Sequence, residues 1–187
     1  MTIAALYVET NGAYFDLPGV DPWDETRDAR RYAGPHPVVA HPPCNRWAYT
    51  LAPLNERRYG LKVGDDGGCF EHALATVRRT GGVLEHPAYS LAWAHFDLPR
   101  PVNREQWTAP DAYGGRSIYV EQGHYGHAAR KGTYLYAVVT DYPDLPRGRA
   151  ECSAWVSFGD FQGRAEAKAT PPAFRALLLD LARSVLP

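Results

Sequence analysis

Pro37-Val38-Val39-Ala40-His41-Pro42-Pro43-Cys44 and Gly82-Val83-Leu84-Glu85-His86-Pro87 are the two stretches whose reading decides the fold. Each is a short apolar run rich in β-branched residues and stopped by proline, the pattern of a strand that proline ends. Between them, Asp65-Asp66-Gly67-Gly68 leads into a helix. Its apolar residues Phe70, Ala73, Leu74 and Val77 fall at i, i+3, i+4 and i+7, and Gly81 closes it. A strand, a crossover with a helix and a second strand normally form a parallel pair with a right-handed connection. Ligands of open α/β sheets bind outside the carboxyl ends of the strands. Cys44 lies just past the first strand and Glu85 at the end of the second. A thiol and a carboxylate 41 positions apart are therefore expected at one crevice. The alternative is a cysteine packed as a small hydrophobe and a glutamate paired with an arginine.

Outward from this unit the pattern is less regular. Upstream, residues 3–9 read as a strand, and Asn11-Gly12 before Ala13-Tyr14-Phe15-Asp16-Leu17 predicts a hairpin. Asp21-Pro22 predicts the start of a short helix running to Arg31. Residues 45–66 read as loop with a turn of helix. Downstream, residues 88–116 are irregular and rich in Trp, Pro and Tyr. Ser117–Val120 and Thr133–Thr140 read as strands around a polar loop, and residues 141–169 carry little pattern. At the end, Thr170 caps a helix with Pro171 at its first position. Its stripe is Phe174, Leu177, Leu178, Leu181, Ala182 and Val185. The expectation is one α/β domain of three layers over residues 1–187. It has a mainly parallel sheet, an antiparallel edge strand near Thr133–Thr140, and helices on both faces.

Composition bounds the function. Of 187 residues, 45% are hydrophobic and 22% charged, both near globular averages. Twenty Lys and Arg against 21 Asp and Glu give a net charge of −1. That excludes a broad electrostatic grip on nucleic acid and leaves room only for a local basic groove. No run of 18 apolar residues predicts a membrane span. The N-terminal stretch lacks a basic start and meets Glu9 too soon for a signal peptide. Three cysteines, an odd number, argue against a secreted disulfide framework. A cytoplasmic protein with reduced thiols is expected.

Four motifs in order resemble the cytosine-C5 DNA methyltransferases. Val38-Val39-Ala40-His41-Pro42-Pro43-Cys44 looks like their Pro-Cys nucleophile loop, and Val83-Leu84-Glu85-His86-Pro87 like their strand ending in a catalytic glutamate. Tyr125-Gly126-His127-Ala128-Ala129-Arg130-Lys131, before the strand from Thr133, resembles their Tyr-Gly loop with its arginines. Thr170-Pro171-Pro172-Ala173-Phe174 resembles their last helix. The chain also looks like the small methyltransferase-like proteins of bacteriophage genomes. The resemblance implies a Rossmann-like methyltransferase fold, S-adenosylmethionine as cofactor, and a partner that is DNA (single-stranded, or with a flipped base) or a pyrimidine nucleotide. It implies Cys44, Glu85 and Arg130 as catalytic residues, with Pro43, Asn45, His86, Tyr125 and His127 lining the substrate site. The family's glycine-rich cofactor turn has no counterpart before Cys44, so Glu9, Asp16 and Asp21 are the candidates for the ribose-binding acid, Glu9 and Asp21 foremost. The large target-recognition insert is missing, and Gly132 stands where a second arginine is usual.

These residues make chemical sense together. A pyrimidine is a poor nucleophile at C5 until something adds at C6, and thiolate is the nucleophilic form of cysteine. Glu85 near ring N3 would supply a proton or hydrogen bond, which requires a carboxyl pKa raised by burial. Arg130 would hold the carbonyl oxygen where charge develops. Two other readings compete. His41 with Cys44, Cys69 with His72, and His124 with His127 have ligand-like spacing, and His86 adjoins Glu85, which would suit a metal-dependent enzyme. Alternatively Trp47, Trp93, Trp107 and Trp155 with twelve tyrosines would cover the surface of a catalytically inactive binding or decoy protein.

Overall fold

In the computed structural model, which describes residues 1–102, 106–151 and 169–185, six strands form one sheet in the order β2-β1-β3-β4-β6-β5. They are β1 (Ile3–Leu6), β2 (Val20–Trp23), β3 (Val38–Ala40), β4 (Gly82–Pro87), β5 (Arg116–Glu121) and β6 (Gly132–Val138). Four α-helices are found among the described residues: α1 (Leu51–Tyr59), α2 (Cys69–Thr80), α3 (Leu91–His95) and α4 (Pro172–Arg183). β2, β1, β3 and β4 pair in parallel, whereas β6 is antiparallel to both β4 and β5. Five strands thus share one direction and β6 alone is reversed. The parallel β3–β4 pair around a helix is as the central stretches predict. The reversed strand, however, lies one place in from the edge, and β5 forms the edge.

Alternation along the strands builds the core on both faces. Ala4, Leu6, Val38, Ala40 and Leu84 pack with Phe70, Ala73, Leu74 and Val77 of α2. Their neighbours Ile3, Ala5, Val39 and Val83 pack with Phe174, Leu178 and Leu181 of α4. The carboxylate of Asp66 accepts from the Gly68 and Phe70 N–H groups and so satisfies donors at the start of α2. Strand β4 comes close to β3 at Gly82, where φ is 118° and a Cβ would lie 2.0 Å from the Val38 carbonyl oxygen. No other residue fits there. No helix among the described residues is long and apolar enough to cross a membrane.

Three local expectations are corrected. Asn11-Gly12 does turn the chain, with the Gly12 N–H on the Glu9 carbonyl, but no hairpin forms. Further turns carry the chain around to β2, which pairs parallel to β1. Asp21 and Pro22 lie inside β2, an edge strand, which tolerates proline, rather than starting a helix. The helical turn there is a single 3-10 turn, Ala29–Arg31, capped by the Asp28 carboxylate on the Arg30 N–H. At the last helix Pro171, not Thr170, occupies the cap position, and no side chain caps it.

Candidate active site at the carboxyl edge of the sheet

Cys44 sits in the turn after β3, with its carbonyl accepting from the Trp47 N–H at 3.0 Å. The cysteine is exposed, as are Pro43 and Asn45. Trp47 anchors the turn in the core. Its ring lies against Phe70 and Phe96, and its Nε1–H donates to Asp66 at 2.8 Å. Its carbonyl accepts from the Leu91 N–H. The nucleophile candidate is therefore held on a buried aromatic peg, and Trp47 and Trp93 are core residues, not surface ones. Trp155 and the third cysteine, Cys152, lie outside the described residues.

Glu85 of β4 is the centre of a hydrogen-bonded chain. The Tyr14 hydroxyl meets His41 Nε2 at 2.8 Å, and His41 Nδ1 meets Glu85 Oε2 at 2.9 Å. Burial, and next the charge of Glu85, push the Tyr14 phenol pKa up, so it keeps its proton. Tyr14 then donates to Nε2, and the Nδ1–H donates to the carboxylate. On the other side, Thr133 gives its one hydroxyl proton to the Lys131 carbonyl and so accepts from Gln122 Nε2 at 2.9 Å. That orientation puts the same amide nitrogen 3.3 Å from Glu85 Oε1. Burial alone would raise the Glu85 carboxyl pKa. The His41 hydrogen bond, with the charge of Lys131, outweighs it and holds the pKa below the ordinary value. This corrects the expectation of a raised pKa: Glu85 is a carboxylate.

A cation whose charge reaches Glu85 is Lys131. Its backbone takes φ of 42°, a conformation uncommon for a side-chain-bearing residue, with its carbonyl fixed by the Gln122 N–H and the Thr133 hydroxyl. The ammonium donates to the Ala169 carbonyl at 2.9 Å. Burial lowers its pKa, while Glu85 and Cys44, each negative when ionised, act against that. Lys131 thus lies within electrostatic reach of both. The side chain of Arg130 instead reaches the Ala150 carbonyl at 3.2 Å and Glu121 at 3.9 Å.

The other expected site residues are packed or held locally. His86, 1% exposed, lies between Phe70 and Trp93 on the opposite face of β4 from Glu85. Neither ring nitrogen has a partner in good hydrogen-bond geometry, although Pro43, whose backbone can only accept, favours the protonated ring. Tyr125 packs on Phe174, and burial pushes its phenol up to about 12. The Ala129 N–H donates to His127 Nδ1. The metal-like pairs are likewise engaged. Tyr7 and the Tyr32 carbonyl take both ring nitrogens of His72, and His124 meets the Gly148 carbonyl. Among the described residues no three His, Cys, Asp or Glu side chains converge as metal ligands.

The crevice where strand order reverses, between β1 and β3, is where the resemblance would seat S-adenosylmethionine. There Tyr14, 3% exposed, reaches from the β1–β2 connection to His41 at the end of β3. Glu9 is exposed, and Asp21 is spent on Trp23 Nε1 and Arg27. The acid directly after β2 is Asp24, whose carboxylate already accepts from the Thr10 hydroxyl and the Arg27 N–H. These residues do not fit that cofactor in the way the resemblance implies. Sequence reading also missed Tyr14, Gln122 and Lys131, although Lys131 closes the quoted Tyr-Gly motif. No family model, curated protein or solved structure matches this chain.

Proposed function

We propose that this chain is a pyrimidine-C5-modifying transferase of the cytosine-C5 methyltransferase-like kind, built on a single-domain Rossmann-like fold and acting through a covalent Cys44–C6 adduct. The observation that carries the reading is the exposed Cys44 in the turn anchored by Trp47, within electrostatic reach of Lys131, which also feels the Glu85 carboxylate. The Cys44 thiolate forms a bond to ring C6, and the C5–C6 π pair moves toward C5 and the ring carbonyl. Lys131 offsets the charge developing on that oxygen, the role the resemblance gives to Arg130. Glu85, as a carboxylate, accepts from the ring amine; solvent water gives N3 its proton, and the resulting N3–H donates to Glu85 until that proton returns to solvent on elimination. C5 then bonds to an electrophile, a proton or a one-carbon group, and gives up its original proton to a base. The C6–S pair returns to sulfur and the double bond reforms. The one-carbon donor is defined only by its electrophilic class.

Single-stranded DNA containing 5-fluorocytosine tests this directly, because fluorine cannot leave C5 as a proton. Intact-mass analysis should show a protein–DNA adduct that Cys44→Ala abolishes. Additional methyl mass only when S-adenosylmethionine is supplied would restore that cofactor. No adduct with S-adenosylmethionine present, together with no Cys44-dependent exchange of cytosine H5 with solvent, favours a binding protein. The observation behind that second reading is the surface at and before α1, where exposed Tyr49 and Leu54 line a 430 Å³ groove with Pro53 and Leu91, and Leu51 and Tyr59 are also exposed.

A further inference from the structure

A second cleft opens at the same edge of the sheet, on the other face. It has a volume of 350 Å³ and is lined by Tyr89, Arg100, Pro101, Val102, Tyr119 and Tyr134. The register pairs His86 with Tyr134 and Tyr119 with Tyr134, so these side chains share one face, while Glu85 pairs with Leu135 on the other. The Tyr89 and Tyr119 rings lie 5.8 and 6.3 Å from that of Tyr134. Two features hold the platform open. Tyr89 sits at φ of 63° two residues after β4, with 43% of its surface exposed. Tyr119 donates to Glu121 and passes over Gly132, where a Cβ would lie 2.8 Å from its hydroxyl. That contact is a physical reason for glycine where the resemblance leads one to expect arginine.

We infer that this tyrosine cleft stacks the base of a nucleotide next to the reacting one, with Arg100 on its phosphate, so that the substrate is a single-stranded polynucleotide rather than a free nucleotide. The inference rests on the proposed pyrimidine chemistry at Cys44. Tyrosine faces and an arginine are what sequence-tolerant single-strand binding uses, since every base offers a π-face and a phosphate. The cleft and Glu85 face opposite sides of β4, so one ring cannot fill both. Yet Glu85 and Tyr89 are separated by no more than about 14 Å of extended chain, close enough for nearby nucleotides of one strand to occupy both. A single aromatic notch of this kind also accords with a net charge of −1, which gives no broad basic surface.

The test compares a fluorescent 12-nucleotide cytosine-containing oligodeoxynucleotide with the mononucleotide dCMP, by anisotropy and calorimetry. Binding is measured for the wild type, Tyr89→Ala, Arg100→Ala and Tyr89→Phe. Both lost side chains are exposed, and thermal melts check that each variant folds. Tyr89→Ala should weaken the oligonucleotide by about 5- to 150-fold, the effect of losing one base–aromatic stack, and leave dCMP unchanged. Tyr89→Phe should retain binding. Arg100→Ala should lower the slope of log affinity against log salt by about 0.7, one phosphate contact on a single strand. A wild type that binds the oligonucleotide no tighter than dCMP would overturn the inference. So would equal losses for both ligands in Tyr89→Ala, which would make the cleft the seat of the reacting ring. Oligonucleotide binding that Tyr89→Ala weakens, together with no Cys44-dependent loss of cytosine H5 to deuterated solvent, would retire the chemistry and keep the cleft.

Discussion

Glu85 and His86 are neighbours in β4, yet one faces a hydrogen-bonded chain and the other an aromatic box. Glu85 has its pKa lowered, so its contribution to stability is complete above the ordinary glutamate value of about 4.3 and is lost as pH falls through the native one. His86 is a base whose pKa burial pushes down to about 4. Between that and the ordinary value of about 6.5, the unfolded chain binds a proton that the folded one refuses. Stability from this group therefore falls as pH drops through that window, by on the order of 3 kcal/mol in total. His86→Phe keeps an aromatic ring between Phe70 and Trp93 and removes the titration. In urea melts at pH 7 and pH 5, the wild type should lose about 2 kcal/mol more than the variant. Equal losses would contradict a neutral buried imidazole. At this scale the positions of Cys44, just past β3, and of Glu85, near the end of β4, were legible because proline stops each strand. Lys131 was not, because no residue pattern announces its φ of 42° or shows that Arg130 turns to Ala150.

Helix α4 was the most legible element, and its stripe is what buries it: Phe174, Leu178, Leu181 and Ala182 are sealed against the sheet. Burying such large side chains stabilises by about 1.5–3 kcal/mol each. Leu178→Ala should cost about 2–5 kcal/mol, read as a lower denaturation midpoint with unchanged m-value. Leu178→Asp should leave no folded protein. An unchanged melting temperature in either would misplace the helix. The start of the chain misled because Asn11-Gly12 is a strong local turn signal, and local chemistry does not reveal where the chain goes after the turn. A better guide was Ile3-Ala4-Ala5-Leu6 itself, a continuous rather than alternating apolar run. Such a strand is buried on both faces, which suits the interior of a parallel sheet and not a two-stranded ribbon. Residues 88–116 gave no period because α3 has only five residues and β5 begins as late as Arg116.

For the whole molecule, one strand direction and a single reversal bring the ends of β3, β4 and β5 and the start of β6 to one edge, from residues far apart in sequence. The shared carboxyl edge of β3 and β4 was foreseeable from the parallel unit alone. The filling of the β1–β3 crevice by Tyr14 was not, since it depends on how the β1–β2 connection folds back. The central claim is that Cys44 adds to C6 of a pyrimidine and so activates C5 toward any electrophile. Hydrogen exchange at C5 tests that claim without a donor, because addition, deuteration at C5, loss of the original proton and elimination need only solvent. In deuterated buffer, the H5 resonance of cytosine in a single-stranded oligonucleotide should disappear at a rate proportional to wild-type protein, and Cys44→Ala should leave it at the rate of buffer alone. No catalysed loss of H5 with the wild type, or the same catalysed loss with Cys44→Ala, would contradict the account.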